Sequence, residues 1–131
     1  RVVLIACTHG LHLHAAIARI RKAMAAEPFM VAGTGRPCTR IIERLGERAL
    51  VKMGAEGVFF AMLPHKGLGI ALKMADGANR AAEIAMLALL RRAGVLDAEG
   101  ERELAAAGSG IVLSVAGKPV GTIRAAAELA S

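Results

Sequence analysis

Aromatic side chains are almost absent from this chain of 131 residues, which has no tryptophan, no tyrosine and three phenylalanines. Proteins that hold single-stranded nucleic acids stack the bases on aromatic rings, so this absence argues against that role. The formal net charge is +6, but the charges alternate in sign at helical spacing, as in Arg40, Glu43, Arg44 and Glu47. Such alternation is typical of a solvated helix surface. We therefore predict no nucleic-acid partner.

Cysteine is also scarce, since Cys7 and Cys38 are the two in the chain. Two cysteines provide neither a disulfide framework nor a paired metal motif, and their scarcity is typical of the reducing cytoplasm. Cys7 lies close in sequence to His9, His12 and His14, a spacing that could suggest a metal site. No carboxylate or distant ligand pair completes the set. We predict no metal and no other cofactor in this chain, and a cytoplasmic location.

Long apolar runs are missing although 55% of the residues are hydrophobic. The stretch 82–90 contains Glu83, the stretch 58–63 has the length of a strand, and a bilayer span needs about 20 apolar residues. We therefore predict no membrane segment. The surplus apolar surface is expected to be buried against another chain or against a part of the protein outside this sequence. Because of this apolar surface, we also expect a homo-oligomer such as a dimer. Arg1 stands where methionine is expected, so we expect a trimmed polypeptide.

The order of apolar runs and turn residues predicts one domain over residues 1–131 that mixes helices and strands. Proline and glycine in the turn 64–67 predict an antiparallel hairpin, and Asp76 or Asn79 is expected to cap the helix that follows it. The predicted fold class is α/β of the α+β type, with an antiparallel sheet packed against alanine-rich helices. Strands are predicted at 1–7, 49–53, 58–63, 68–74, 111–115 and 119–123, and helices at 11–26, 39–45, 78–93 and 97–107.

The block VKMGAEGVF, residues 51–59, has the composition of a binding site. Lys52 at the end of a strand can hold a carboxylate or stabilise a nucleophile, and Glu56 can bind an ammonium group. Gly54 and Gly57 let the backbone approach a ligand closely, so that backbone N–H groups could face an oxyanion. An ordinary turn or bulge with a surface lysine and glutamate has the same pattern, and both interpretations stay open.

The chain contains, in order, the four segments AEPFMVAGTGRPCTRIIE, VKMGAEGVFFAMLP, GLGIALKMADGANRAAEIA and GKPVGTIRAAAELA. In this order, they resemble the C-terminal region of the L-asparaginase II family, over about residues 19–130, with residues 1–18 outside the resemblance. The resemblance implies a fold like part of the serine β-lactamases and serine-dependent glutaminases, and hydrolysis of L-asparagine to L-aspartate and ammonia.

The catalytic serine that the resemblance implies belongs to a serine-x-x-lysine motif located upstream of this region in the family. The serines of this chain are Ser109, Ser114 and Ser131, and none has a lysine three residues further on. We therefore expect a C-terminal fragment that supplies substrate-binding groups and is inactive alone. Its expected partners are an amino-acid amide and a missing N-terminal portion or another chain. The alternative is a non-catalytic module for amino-acid binding or oligomeric assembly.

The resemblance also implies catalytic roles for two residues of the block. Lys52, Met53 and Gly54 fall where β-lactamase-like enzymes carry a lysine, a hydroxyl residue and a glycine. By that analogy Lys52 gives electrostatic assistance and the backbone N–H of Ala55 is the candidate oxyanion donor. Met53 departs from the family pattern, because a thioether replaces the hydroxyl group that would bond to the substrate.

The residues predicted to bind substrate are Thr34, Arg36, Gly54, Glu56 and Gly57. In this prediction Glu56 binds the α-amino group, and Arg36 grips a carboxylate through two parallel hydrogen bonds. An ordered loop in which Arg36 packs on its neighbours is the alternative for GTGR, residues 33–36. The family usually has an acidic residue where Cys38 stands, so a thiol here removes an ion pair.

Overall fold

The computed structural model describes residues 2–5, 11–108 and 110–130. Over these residues it contains a four-stranded antiparallel sheet, a separate two-stranded sheet and six α-helices, so the predicted fold class is confirmed. The helices are α1 (Leu11–Ala26), α2 (Pro28–Ala32), α3 (Pro37–Leu45), α4 (Asn79–Arg92), α5 (Ala98–Ala107) and α6 (Ala127–Ala130). The strands are β1 (Val2–Ile5), β2 (Leu50–Met53), β3 (Val58–Leu63), β4 (Leu68–Lys73), β5 (Ile111–Leu113) and β6 (Pro119–Thr122).

Proline and glycine set most of the element boundaries near the predicted site. α1 ends before Pro28, and this proline begins α2, a short helix in a segment we predict only as an apolar run. Pro37 begins α3, because a proline at the first helical position loses no hydrogen bond. Gly46, at a φ of 56°, ends α3. The loop 33–36 therefore joins two helices that each begin with proline.

The capping prediction for α4 is wrong. Ala78 occupies the cap position, and no side chain caps the helix there. Asp76 Oδ1 accepts a bond of 2.9 Å from the Ala78 amide, within the loop. Asn79 Oδ1 instead accepts a bond of 3.1 Å from the amide of Gly57, which lies 22 residues earlier in the chain. A local sequence pattern carries no information about this distant partner.

The large sheet has the strand order β1-β4-β3-β2, so β2 is an edge strand. Two hairpins connect β2, β3 and β4, and Lys52 lies opposite Phe60 in the register. The free edge of β2 packs against α3, where the Met53 amide donates a bond of 3.1 Å to Cys38 Sγ. A helix that covers an edge strand in this way satisfies polar backbone groups that would otherwise be exposed.

The two faces of β3 have different surroundings. Phe59, Ala61 and Leu63 are buried on the face that packs against α4, within the main hydrophobic core. On the opposite face, Phe60 is 40% exposed and Met62 is partly buried. This face borders an apolar groove of about 730 Å³ between the sheet and the helices α1 and α2. In the described part of the chain, no helix has the length and apolar character needed to cross a membrane.

Candidate functional site

Three of the residues predicted for the site meet in one pocket of about 230 Å³, between the loop 33–36 and the end of β2. They are Arg36, Lys52 and Gly54, which come from two chain segments separated by α3. We call this space the cationic pocket, because its lining contains two basic side chains and no acidic one. The lining residues are Val31, Ala32, Arg36, Pro37, Cys38, Lys52, Met53 and Gly54.

Lys52 lies on the wall between the cationic pocket and the apolar groove, since its side chain lines both. It is half-buried, and its Nζ donates a bond of 2.6 Å to the carbonyl of Met53. This bond holds the ammonium group close to the strand end. A lysine held in this way presents a fixed positive charge to an anion in the pocket.

Arg36 enters the cationic pocket from the last position of the loop 33–36, directly before α3. Two side chains of α3 hold this loop from inside. Thr39 Oγ1 donates a bond of 2.7 Å to the carbonyl of Gly33, and the Arg40 guanidinium donates to the carbonyl of Gly35. Thr34 is exposed at the tip of the loop and lines none of the pockets described here.

Residues 55–58 form a tight turn between β2 and β3. The Val58 amide donates to the Ala55 carbonyl at 3.2 Å, and the Gly54 amide donates to the Val58 carbonyl at 2.8 Å. Glu56 and Gly57 have positive φ values of 54° and 69°, as in a type I′ hairpin turn. The backbone of residues 55–58 is therefore that of a hairpin turn, and the binding roles of the block stay a prediction.

Few amide groups of the turn are available to a ligand. The Gly54 amide is used by the hairpin and the Gly57 amide by Asn79, and the Gly57 carbonyl accepts from the Met74 amide at 3.0 Å. Within the described residues, the amides of Ala55 and Glu56 donate no backbone hydrogen bond, so the Ala55 amide is one of two donors here that fit an oxyanion role. The role of Ala55 stays a prediction.

Glu56 lies at the exposed side of the turn, outside the cationic pocket. Its carbonyl accepts a hydrogen bond from Lys73 Nζ, which fastens the turn to the end of β4. Gly57 is buried, and both of its backbone polar groups are bonded within the chain. The substrate-binding roles of Thr34, Glu56 and Gly57 stay predictions, and the cationic pocket brings none of the three together with Arg36 and Lys52.

Cys38 lies in the wall of the cationic pocket and is 1% exposed. Burial raises the pKa of its thiol, although the Met53 amide and the charges of Lys52 and Arg36 act in the opposite direction. The thiol is therefore neutral at pH 7, and it leaves both positive charges of the pocket uncompensated. A pocket of this kind suits a small carboxylate.

A buried ion pair beside this pocket was missed by the sequence reasoning. Arg40, which the charge pattern assigned to a solvated surface, pairs with Glu83 at 2.6 Å, and Glu83 is 2% exposed. The pair lines a further pocket of about 220 Å³, which shares Arg36, Pro37 and Met53 with the cationic pocket. The signal in the sequence was a single carboxylate within the apolar run of α4, because such a group needs a partner when it is buried.

The described residues contain no group of three or more histidine, cysteine and acidic side chains that could hold a metal ion. The side chains of Cys7, His9, His12 and His14, whose spacing could suggest a metal, lie outside the described part. The structure therefore does not test that cluster, and the prediction that this chain holds no metal and no other cofactor stays a prediction.

Comparison with protein families matches residues 2–125 to L-asparaginase II. The match covers most of the chain, which therefore belongs to the L-asparaginase II family. It begins at residue 2, so it also includes residues 2–18, which our prediction leaves outside the resemblance. No curated protein matches the chain.

Proposed function

We propose that this chain forms the substrate-binding part of an amidohydrolase that converts L-asparagine to L-aspartate and ammonia. The observation that carries the proposal is the meeting of Arg36, Lys52 and Gly54 in one small pocket without an acidic residue. Membership of the L-asparaginase II family supports amide hydrolysis as the class of reaction. The positive charge of the pocket supports a ligand with a carboxylate.

The proposed reaction is acyl transfer through a serine supplied from outside this chain. The serine oxygen attacks the side-chain amide carbon, the carbon–nitrogen bond breaks, and the nitrogen leaves as ammonia after it takes a proton. Water then cleaves the ester and releases aspartate. Arg36 binds the substrate carboxylate, Lys52 assists electrostatically, and the Ala55 amide donates to the oxyanion. Glu56 binds the α-amino group.

The chain alone is proposed to bind the amino acid without hydrolysing it, because Ser109, Ser114 and Ser131 each lack a lysine three residues further on. Activity then requires an N-terminal portion with a serine-x-x-lysine motif. We also propose that the assembled enzyme is a cytoplasmic homo-oligomer.

The test combines calorimetry with an assay of ammonia release. L-Aspartate and L-asparagine are titrated into the 131-residue chain, and ammonia is measured with the chain alone and after addition of the N-terminal portion of a family member. We expect binding by the chain alone and ammonia only from the mixture. Absence of both binding and ammonia overturns the proposal, and ammonia from the chain alone overturns the external nucleophile.

An assembly module is the second candidate, and the apolar groove favours it. Ile20 and Met30, which line the groove, are 58% and 77% exposed. Contact with a second copy of the chain would bury these side chains. Sedimentation of the chain and of an Ile20→Asp variant tests this candidate. A dimer that the substitution dissociates supports it, and a monomeric wild-type chain contradicts it.

A further inference from the structure

The two buried polar residues of the described chain, Thr39 and Glu83, both act on the loop 33–36. Thr39 bonds directly to the carbonyl of Gly33. Glu83 acts on the loop indirectly, through Arg40. Nη2 of Arg40 bonds to Glu83, and Nη1 of Arg40 donates to the carbonyl of Gly35. Polar groups that are costly to bury thus converge on the loop that ends in Arg36.

The ion pair holds the Arg40 side chain in one orientation. The guanidinium group is a planar fork, so a bond from Nη2 to Glu83 also determines where Nη1 points. Gly108, which follows α5, makes room for the pair, because a Cβ there would overlap both the carboxylate and the guanidinium. Three elements, α3, α4 and the end of α5, therefore build this arrangement together.

Net stabilisation alone is a weak explanation for such a pair. The desolvation of two charges offsets most of their attraction, and apolar residues of similar volume often stabilise a fold as well or better. The loop, in contrast, needs an external constraint. Gly33 and Gly35 have φ values of 90° and 66°, and glycine backbones are the most flexible when nothing holds them.

We propose that Glu83 is a positioning residue for substrate binding, which acts through Arg40 and the Gly35 carbonyl to hold Arg36 in the cationic pocket. The inference rests on the proposed function, since it takes Arg36 as the residue that grips the substrate carboxylate. Loss of the constraint lets the loop move and lowers carboxylate affinity. It leaves the reacting groups untouched, so KM rises while kcat stays nearly constant.

We call the contacts from Glu83 through Arg40 to the Gly35 carbonyl the relay. Two variants break the relay at different places. Glu83→Gln removes the charge that orients Arg40. Arg40→Lys keeps a cation beside Glu83, but an ammonium group lacks the fork that reaches two acceptors in fixed directions. The matched control is Glu101→Gln, which breaks the ion pair of 3.0 Å between Arg91 and Glu101, away from both pockets. Thermal unfolding is recorded for each variant to separate loss of fold from loss of binding.

The binding measurement uses L-aspartate titrated into the chain, and kcat and KM for L-asparagine in the mixture with the N-terminal portion. We expect Glu83→Gln and Arg40→Lys to weaken aspartate binding and to raise KM by about tenfold, the effect of one disturbed charge-assisted contact, with kcat changed less than about twofold. Glu101→Gln should leave aspartate binding, KM and kcat unchanged. A folded Glu83→Gln variant with wild-type affinity overturns the inference.

Amide hydrogen exchange of the peptide that contains residues 33–36 supplies a readout without ligand. The two relay variants should exchange faster at this loop than the wild type, and the control should not. Faster exchange with unchanged affinity overturns the link to substrate, and unchanged exchange overturns the relay itself. If the wild type binds no aspartate and releases no ammonia, the proposed function fails, and loop exchange still decides whether Glu83 holds the loop.

Gly108→Ala provides an independent test that removes neither charge. The added methyl group displaces the Arg40–Glu83 pair, so the same loss of affinity and the same faster loop exchange are expected. A Gly108→Ala variant that is folded and binds aspartate like the wild type contradicts the proposal.

Discussion

The two glycine-containing connections that flank α3 and β2 differ in what their polar groups do. The loop 33–36 is held by side chains of α3, and its last residue, Arg36, points into the cationic pocket. The turn 55–58 uses its own backbone groups for the hairpin and for contacts with Asn79 and Lys73. Both contain residues with positive φ.

Glycine therefore indicates a backbone shape in both connections, but it does not identify a binding surface. The positive charge in the cationic pocket comes from Arg36, the last residue of the loop 33–36, and from Lys52, which precedes the turn 55–58. Glu56, in the middle of the turn, is exposed and lies outside the pocket. The side chains of Arg36 and Lys52, near the ends of the two connections, are therefore the ones that line the cationic pocket. Four predictions test this difference, beginning with the largest expected effect.

Substitution of alanine for glycine should cost more in the turn than in the loop. A Cβ at Gly57 lies 2.8 Å from the Met74 Cβ, whereas a Cβ at Gly35 meets no atom within 4 Å. Both residues have positive φ, so both substitutions are strained. We expect Gly57→Ala to lower the free energy of unfolding by about 2–4 kcal/mol and Gly35→Ala by about 1–2 kcal/mol. Urea unfolding measures both, and equal losses would contradict the packing of Gly57 on Met74.

Removal of charge should affect ligand binding at the ends of the connections more than in the turn. Arg36→Met and Lys52→Met should each weaken L-aspartate binding by about tenfold or more, because each removes a charge-assisted contact. Glu56→Gln should change it less, since Glu56 is exposed outside the pocket and solvent screens its contact with the α-amino group. Calorimetry on the three variants provides the ranking. A loss in Glu56→Gln as large as in the other two variants would contradict this difference between the turn and the ends of the connections.

The internal support of the loop should be visible in stability. Thr39→Val removes the 2.7 Å bond to the Gly33 carbonyl in a buried position, and we expect a loss of about 1 kcal/mol in the free energy of unfolding. Thr34→Val, the matched change at the exposed tip, should alter it by less than about 0.5 kcal/mol. Denaturant unfolding of both variants is the measurement. Equal effects would mean that Thr39 does not support the loop.

The smallest expected effect concerns Cys38, whose thiol receives the bond from the Met53 amide. Burial raises the pKa of this thiol above its ordinary value of 9.0, so the folded state keeps the proton where the unfolded state loses it. Stability therefore falls as pH rises through 9.0. Unfolding is compared between Cys7→Ser and Cys7→Ser/Cys38→Ser. The decline should disappear in the second variant, and its persistence would rule out this thiol as the cause.

Local patterns were sufficient for most secondary structure. Helix α1 has the predicted bounds because Pro28 forbids its continuation, and β3 has the predicted bounds because turn residues flank it on both sides. The antiparallel hairpin between β3 and β4 follows from the proline–glycine turn. The short helix α2 was missed, since five residues give too short a pattern to separate a helix from a strand.

The candidate site could be predicted in part. Lys52, Gly54 and Arg36 were named from the sequence and the family resemblance, and they line one pocket. The Arg40–Glu83 pair was not found, because its partners are 43 residues apart and the charge pattern around Arg40 looks like that of a solvated helix. Periodicity reports which face of one helix is apolar, but it does not report which charge on another helix lies opposite.

The sequence by itself determined the family, the antiparallel hairpins and the residues that can carry charge to a ligand. The tertiary structure decided which of these charges face a pocket. It buried Glu83 against Arg40 and left Arg36 and Lys52 beside a neutral thiol in the cationic pocket. The physical reason is that secondary structure depends on neighbours along the chain, whereas burial and hydrogen-bond partners depend on neighbours in space.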